Sequence, residues 1–214
     1  MKILIMSIGA IEQHGPAPKE TDFIIVDEIA EKLSYRLKIE KIPAIPFGYS
    51  EIFMDYPGTF SIEPENIIAI FRDLFRSASK QGYDKIILLS SHDQNLSMLK
   101  TACYRASRDL GLQLLLFNIW DFPEVKALVK TEIWHACEDE ISVMEYLGYS
   151  CPAKIKETPE EMYMNYMKFP LEKSRRSKSG VYGDLTNVSA TQGKIIFDTI
   201  ITSLEIAIKK EWSN

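Results

Sequence analysis

Three short apolar runs, KILIMS (residues 2–7), KIILL (85–89) and QLLLFN (113–118), are separated by stretches whose apolar residues recur at helical spacing. Strands buried on both faces read as continuous apolar runs, and joining parallel strands takes a crossover, usually a helix. The alternation therefore predicts a mainly parallel sheet with helices on both faces. Residues 23–37 place Ile24, Ile25, Ile29 and Leu33 on one helical stripe, with Asp22 as the expected cap. Residues 41–46 read as a second strand, confined to an edge or shortened by Pro43 and Pro46. Pro64 suits the first turn of a helix reaching about Gly82, and residues 96–110 form another. Residues 122–134 and 138–147 read as helices parted by His135, Ala136 and Cys137. Residues 149–180 are polar and irregular, with one short helical piece over 159–167, and a last helix spans 190–212. No repeat or linker interrupts the chain, so one domain over residues 1–214 is expected.

Charge and cysteine content narrow the function classes. A net charge of -5 argues against a nucleic-acid binder, which normally presents a basic face. No apolar run approaches the eighteen or so residues of a membrane span. Three cysteines without a CxxC pair make a disulfide framework unexpected and a reducing cytoplasm the expected location. The one basic cluster, Lys173, Arg175, Arg176 and Lys178, reads first as a solvated loop and second as a contact for a substrate phosphate. The loop of residues 47–61 is too long for a mere connection, so it is expected to be functional or interfacial.

In open parallel sheets ligands gather beyond the carboxyl ends of the strands. Glu12 and His14 lie just past the first run, and His92 just past KIILL, so all three belong to one end of the sheet. Glu12 and His14 have i, i+2 spacing, which in an extended segment points both side chains to one side. An imidazole and a carboxylate converging there suit zinc, manganese or iron. The bland reading is an ordinary polar loop. Against it, all three histidines of the chain, His14, His92 and His135, fall at rims or junctions of apolar elements. Neither GxGxxG nor GxxxxGK[ST] occurs, and Ser90-Ser91-His92 lacks the glycines of a nucleophile elbow.

At this point several segments carry a family resemblance. IGAIEQHGPAPKETD (8–22) resembles the creatininase (creatinine amidohydrolase) signature G-x-x-E-Q-H-G-P-H-L-P-L-G-T-D. SSHDQN (90–95) is similar to that family's N-G-H-G-G-N segment, and HACEDEIS (135–142) to its H-A-G-E-x-E-T-S segment. YPGTFSIEPE (56–65) and GVYGDLTNVSATQGK (180–194) resemble two further blocks, and all five occur in family order.

The resemblance implies a three-layer α/β/α sandwich with a mainly parallel central sheet. It also implies two divalent metal ions (zinc, iron or manganese) and hydrolysis of a non-peptide C–N bond in a small-molecule amide by a metal-bridging hydroxide. Glu12 and His14 would be ligands of different metals, Asp22 would bridge them, and His92 would complete the first set. Creatininase itself takes a glutamate two residues after that histidine, where this chain has Gln94. The branch resembling the archaeal formamide hydrolase of flavin and deazaflavin biosynthesis draws it from the H-A-G-E block, which implies Glu138. His135 is the implied general acid for the leaving amine, a hydrogen bond to a ligand carboxylate being its other reading.

The chain departs from the pattern in a shorter His14-to-Asp22 turn, in Ala17 for a histidine and in Cys137 for a glycine. All five implied ligand positions keep ligating side chains. The resemblance further implies a homo-oligomer, for which Phe53, Met54, Tyr56 and Phe60 offer a contact surface. A family member that binds metal or a small molecule without turnover is the alternative.

Overall fold

In the computed structural model, residues 1–130, 134–152, 154–159 and 176–212 are described. The sheet comprises β1 (Ile3–Ile8), β2 (Glu40–Lys41), β3 (Lys85–Ser90) and β4 (Gln113–Asn118), all parallel, in the order β2-β1-β3-β4. Its two faces are covered by different helices, because successive side chains of each strand point to opposite sides. Leu4, Met6 and Ile8 of β1 join Ile86 and Leu88 of β3 in one cluster with α2 (Pro64–Lys80) and α3 (Leu96–Leu110). Ile5, Ile87 and Leu89 face the other way, against α1 (Thr21–Leu37), α5 (Glu138–Tyr146) and α6 (Ala190–Trp212). The result is the three-layer α/β/α sandwich with a parallel central sheet.

Three differences from expectation have identifiable causes. The second strand is cut to two residues, although Ile42 N–H still reaches Ile5 O (3.2 Å) and Ile45 N–H reaches Ser7 O (2.9 Å). Pro43 and Pro46 supply no N–H, so the ladder cannot run continuously. The helix expected over 122–134 is a single turn, α4 (Pro123–Lys126). Beyond it Leu128 O accepts from Gln192 Nε2 (2.6 Å) and Lys130 N–H donates to Glu138 (3.3 Å), so tertiary bonds take backbone groups that a helix would use. Asp22 is not a cap: α1 starts at Thr21 and Asp22 lies buried in its first turn. The helical piece expected near 159–167 falls almost wholly outside the described residues, as do Lys173 and Arg175 of the basic cluster.

Two segments close over the carboxyl ends of the strands. A Cβ on Gly9 would lie 2.4 Å from Phe23 N, so the end of β1 packs directly against the start of α1. That approach needs glycine, and it brings Asp22 beside the chain that carries Glu12. The loop of residues 47–61 crosses this end, with Phe60 N–H bonded to Ile11 O (2.9 Å) and Thr59 Oγ1 accepting from Gln13 N–H (3.1 Å). It is held in turn by residues 176–180. Tyr56 O–H donates to Ser177 O (2.5 Å), and Arg176 reaches Ile52 O and pairs with Asp55. Beneath that turn Glu157, of a small antiparallel pair β5 (Lys156–Glu157) and β6 (Gly183–Asp184), accepts from Ser177 Oγ (2.6 Å) and Lys178 N–H (2.8 Å). Among the described residues no helix is long and apolar enough to cross a membrane.

Candidate metal centre

Glu12, His14, Asp22, His92 and His135 all come together, each at most 5% exposed. Their ligand atoms form overlapping triads: Glu12, Asp22 and His92; His14, Asp22 and Glu140; and Glu12, His14 and His135. The separations run from 3.2 Å (His135 Nδ1 to Glu12 Oε1), through 3.4 Å (His92 Nδ1 to Glu12 Oε1 and to Asp22 Oδ2), to 3.7 and 3.8 Å (His14 Nε2 to Asp22 Oδ2 and Glu140 Oε2). Donor atoms about 2.1 Å from a tetrahedral ion lie roughly 3.4 Å apart, so this spacing fits oxygen and nitrogen ligands around a divalent cation.

Hydrogen bonding gives an independent sign. Glu12 Oε1 and Oε2, His14 Nε2, Asp22 Oδ2 and Glu140 Oε2 are buried and have no hydrogen-bond partner. Buried polar atoms are ordinarily satisfied, and the concentration of exceptions at one spot marks a place for an ion. Each histidine is held by its other nitrogen. His14 Nδ1 lies 3.0 Å from Glu12 O, and His92 Nε2 lies 2.7 Å from Tyr49 O. Ligating histidines are normally anchored in this manner by a carbonyl or carboxylate.

The electrostatics agree. Burial pushes the carboxyls of Glu12 and Asp22 well above the usual carboxylate range. Burial opposes protonation of His14, but the charges of Asp22 and Glu140 outweigh it and raise the imidazole to about 9. Burial lowers His92 to about 4 and His135 well below the ordinary histidine value. The protein without metal thus holds protons among its acids and on His14, where a cation would replace them.

Glu138 stands apart from this group. Its carboxylate accepts from Lys130 N–H, and Glu140 is the α5 residue beside His14 and Asp22. Residues two apart on a helix point roughly 200° from one another, so only one of the two can face the centre. The sequence carried the signal, since the H-A-G-E-x-E-T-S pattern has two glutamates, but helix phase rather than proximity to His135 selects between them. In the 47–61 loop, Phe53 differs from the other residues expected to offer a contact surface. Phe53 is buried and stacks on His135, with centroids 4.0 Å apart at 20°, while Met54 and Phe60 remain exposed. Tyr182 is fully buried behind His135 and stacks on Trp134 at 5.0 Å. Ala136, between His135 and α5, has a φ of 50°, an uncommon conformation for a residue with a Cβ.

Comparisons with known proteins point the same way. The family model for creatininase, creatinine amidohydrolase, matches residues 1–208. A creatinine amidohydrolase of Pseudomonas putida is 21% identical, over 98% of this chain and 90% of its own. A mycofactocin precursor peptide peptidase of Mycobacterium tuberculosis is 26% identical, over 92% of this chain and 81% of its own. A crystal structure of creatininase superposes with a TM-score of 0.90 at 21% identity, covering 100% of this chain and 91% of that one. Related structures include Zn-Zn and Mn forms of creatininase. With the matched region spanning nearly the whole sequence, this chain belongs to the creatininase family of metal-dependent amidohydrolases.

Proposed function

We propose that the protein hydrolyses a non-peptide C–N bond of a small formamide or cyclic amide, using two divalent ions held at this centre. The observation that carries the reading is the pair of triads that share Asp22, in which donor atoms of Glu12, His14, Asp22 and Glu140 are buried without a hydrogen-bond partner. Glu12, Asp22 and His92 would hold one ion, and His14, Asp22 and Glu140 the other. Two such ions supply Lewis acidity toward a carbonyl oxygen and lower the pKa of water. Nitrogen and oxygen donors of this kind suit zinc, manganese or iron.

The remaining chemistry belongs to the chain. His135 points Nδ1 toward Glu12 and is the one histidine stacked beneath the covering loop, which places it to carry a proton to a departing amine. Phe53, stacked on His135, and the 176–180 turn that fastens its loop would shield the centre from water. The family's substrate range does not transfer directly. Gln94 stands where the resemblance to creatininase implies a glutamate donor, and Glu140 of α5 lies beside His14 and Asp22, which favours a formamide or other small amide over creatinine.

The test has two parts. Protein purified without an affinity tag should contain close to two equivalents of divalent ion, or take them up on dialysis, and a panel of formamides, lactams and cyclic ureas should reveal turnover. Absence of any bound or added metal would falsify the two-ion reading. Metal without turnover of any amide would point to a binding role.

A further inference from the structure

His135 follows the same rule as the other two histidines of the centre: one ring nitrogen rests against a main-chain carbonyl. Its Nε2 lies 2.8 Å from Gln13 O. A carbonyl only accepts, so the nitrogen beside it carries the hydrogen. Gln13 itself is 6% exposed and reaches every segment that closes the site. Its N–H donates to Thr59 of the 47–61 loop. Its side-chain amide donates to Gly180 O (2.9 Å) and accepts from Gly15 N–H (3.2 Å). Those two contacts fix which end of the amide is nitrogen, since one partner needs a donor and the other an acceptor. Gly180 has a φ of 85°, and a Cβ there would lie 1.6 Å from Gln13 Oε1, so the backbone at 180 runs directly against the amide.

The amide nitrogen also lies 2.9 Å from His135 Nε2. If that ring nitrogen were bare and accepted from the amide, its lone pair would confront the Gln13 carbonyl oxygen at 2.8 Å. With the hydrogen on Nε2 the carbonyl is satisfied, and the side-chain amide directs one of its two hydrogens to Gly180 O.

We propose that Gln13 is the positioning residue for His135: its carbonyl keeps the hydrogen on Nε2 and turns bare Nδ1 toward the metal centre, while its side chain clamps that carbonyl against Gly180. The proposal deepens the amidohydrolase reading and rests on it. During turnover, the attacking water's oxygen bonds to the amide carbon while one of its O–H bonds breaks and Nδ1–H forms. Nδ1–H then breaks as the leaving nitrogen takes that hydrogen and the electron pair of the broken C–N bond. The Nε2–H bond to Gln13 persists throughout, so the ring need not turn.

Long-range proton–nitrogen NMR of the full chain labelled at histidine, before and after zinc addition, reads the ring directly. The wild type is expected to show His135 with Nε2–H and bare Nδ1. Gln13→Met keeps the side-chain length without the amide; it should give a mixture of tautomers and lower kcat roughly tenfold on any amide that is turned over, with KM little changed. Gly180→Ala displaces the amide while keeping Gln13, and should do the same. An Nδ1–H ring in the wild type overturns the proposal, as does a Gln13→Met protein that keeps the wild-type tautomer. The wild-type spectrum alone decides the matter if both variants fail to fold. The tautomer requires neither bound metal nor turnover, so a failure to bind zinc would count against the amidohydrolase reading and leave this measurement intact.

Discussion

Glu138 and Glu140 make opposite predictions from positions two residues apart. Glu140→Gln removes a charged donor beside His14 and Asp22, and is expected to weaken uptake of the second ion by more than the ~10–100-fold typical of altered outer partners. Glu138→Gln should leave two ions bound, because its carboxylate meets Lys130 N–H instead. Titration with zinc followed by metal analysis separates the two, and the reverse pattern would restore Glu138 as the donor. The other buried groups of the centre give a pH dependence. In protein stripped of metal, His14 titrates at about 9 against an ordinary value of 6.5, so the native state holds more protons than the unfolded chain between those values. Asp139, raised to about 8 by burial and by the neighbouring Glu140, and the raised Glu12 and Asp22 act in the same sense. His92, lowered to about 4, opposes them only between pH 4 and 6.5. Stability of the stripped protein should therefore fall as pH rises from 6.5 to 9, as followed by denaturant midpoints. Metal uptake should release protons and tighten with pH over the same range.

At the scale of elements, the 47–61 loop is a cover fastened by the 176–180 turn. Phe53 is 3% exposed and lies flat on His135. Phe53→Ala should cost about 3 kcal/mol, the low end for a buried phenylalanine, because a loop can partly collapse into the space. It should also accelerate removal of metal by a chelator. Tyr56→Phe deletes the hydroxyl bonded to Ser177 O and should weaken the fastening by about 1 kcal/mol, which is roughly fivefold in the opening equilibrium. Stopped-flow chelation at fixed pH reads that change. An unchanged stripping rate in both variants would mean that metal leaves by a route the cover does not control. The strands behave differently from the cover: β1 and β3 are fixed by alternating burial on two faces, and substitutions there would act on folding before they act on the site.

For the whole molecule, binding at the centre couples to folding, since the donors come from the ends of β1 and β3 and the starts of α1 and α5. Zinc at a hundred times its dissociation constant should add about 2.7 kcal/mol. For a chain of this size that corresponds to a rise of roughly 5–10 °C in melting temperature. Scanning calorimetry of stripped and zinc-loaded protein checks it, and equal melting temperatures would disconnect the centre from the fold. The mainly parallel sheet, the helices on its two faces and the convergence of Glu12, His14 and His92 at one end of the sheet were all written in apolar runs and their spacing. Those features depend on local periodicity, which a single sequence carries. What the sequence left open was decided by tertiary contacts. Helix phase turned Glu140 rather than Glu138 toward His14 and Asp22. Backbone bonds to Gln192 and Glu138 ended a helix after one turn. Phe53 of the 47–61 loop turned inward onto His135, while Met54 and Phe60 of the same loop stayed exposed. Local pattern determines most of the elements, and packing between distant segments determines where one stops and which of its side chains meets the site.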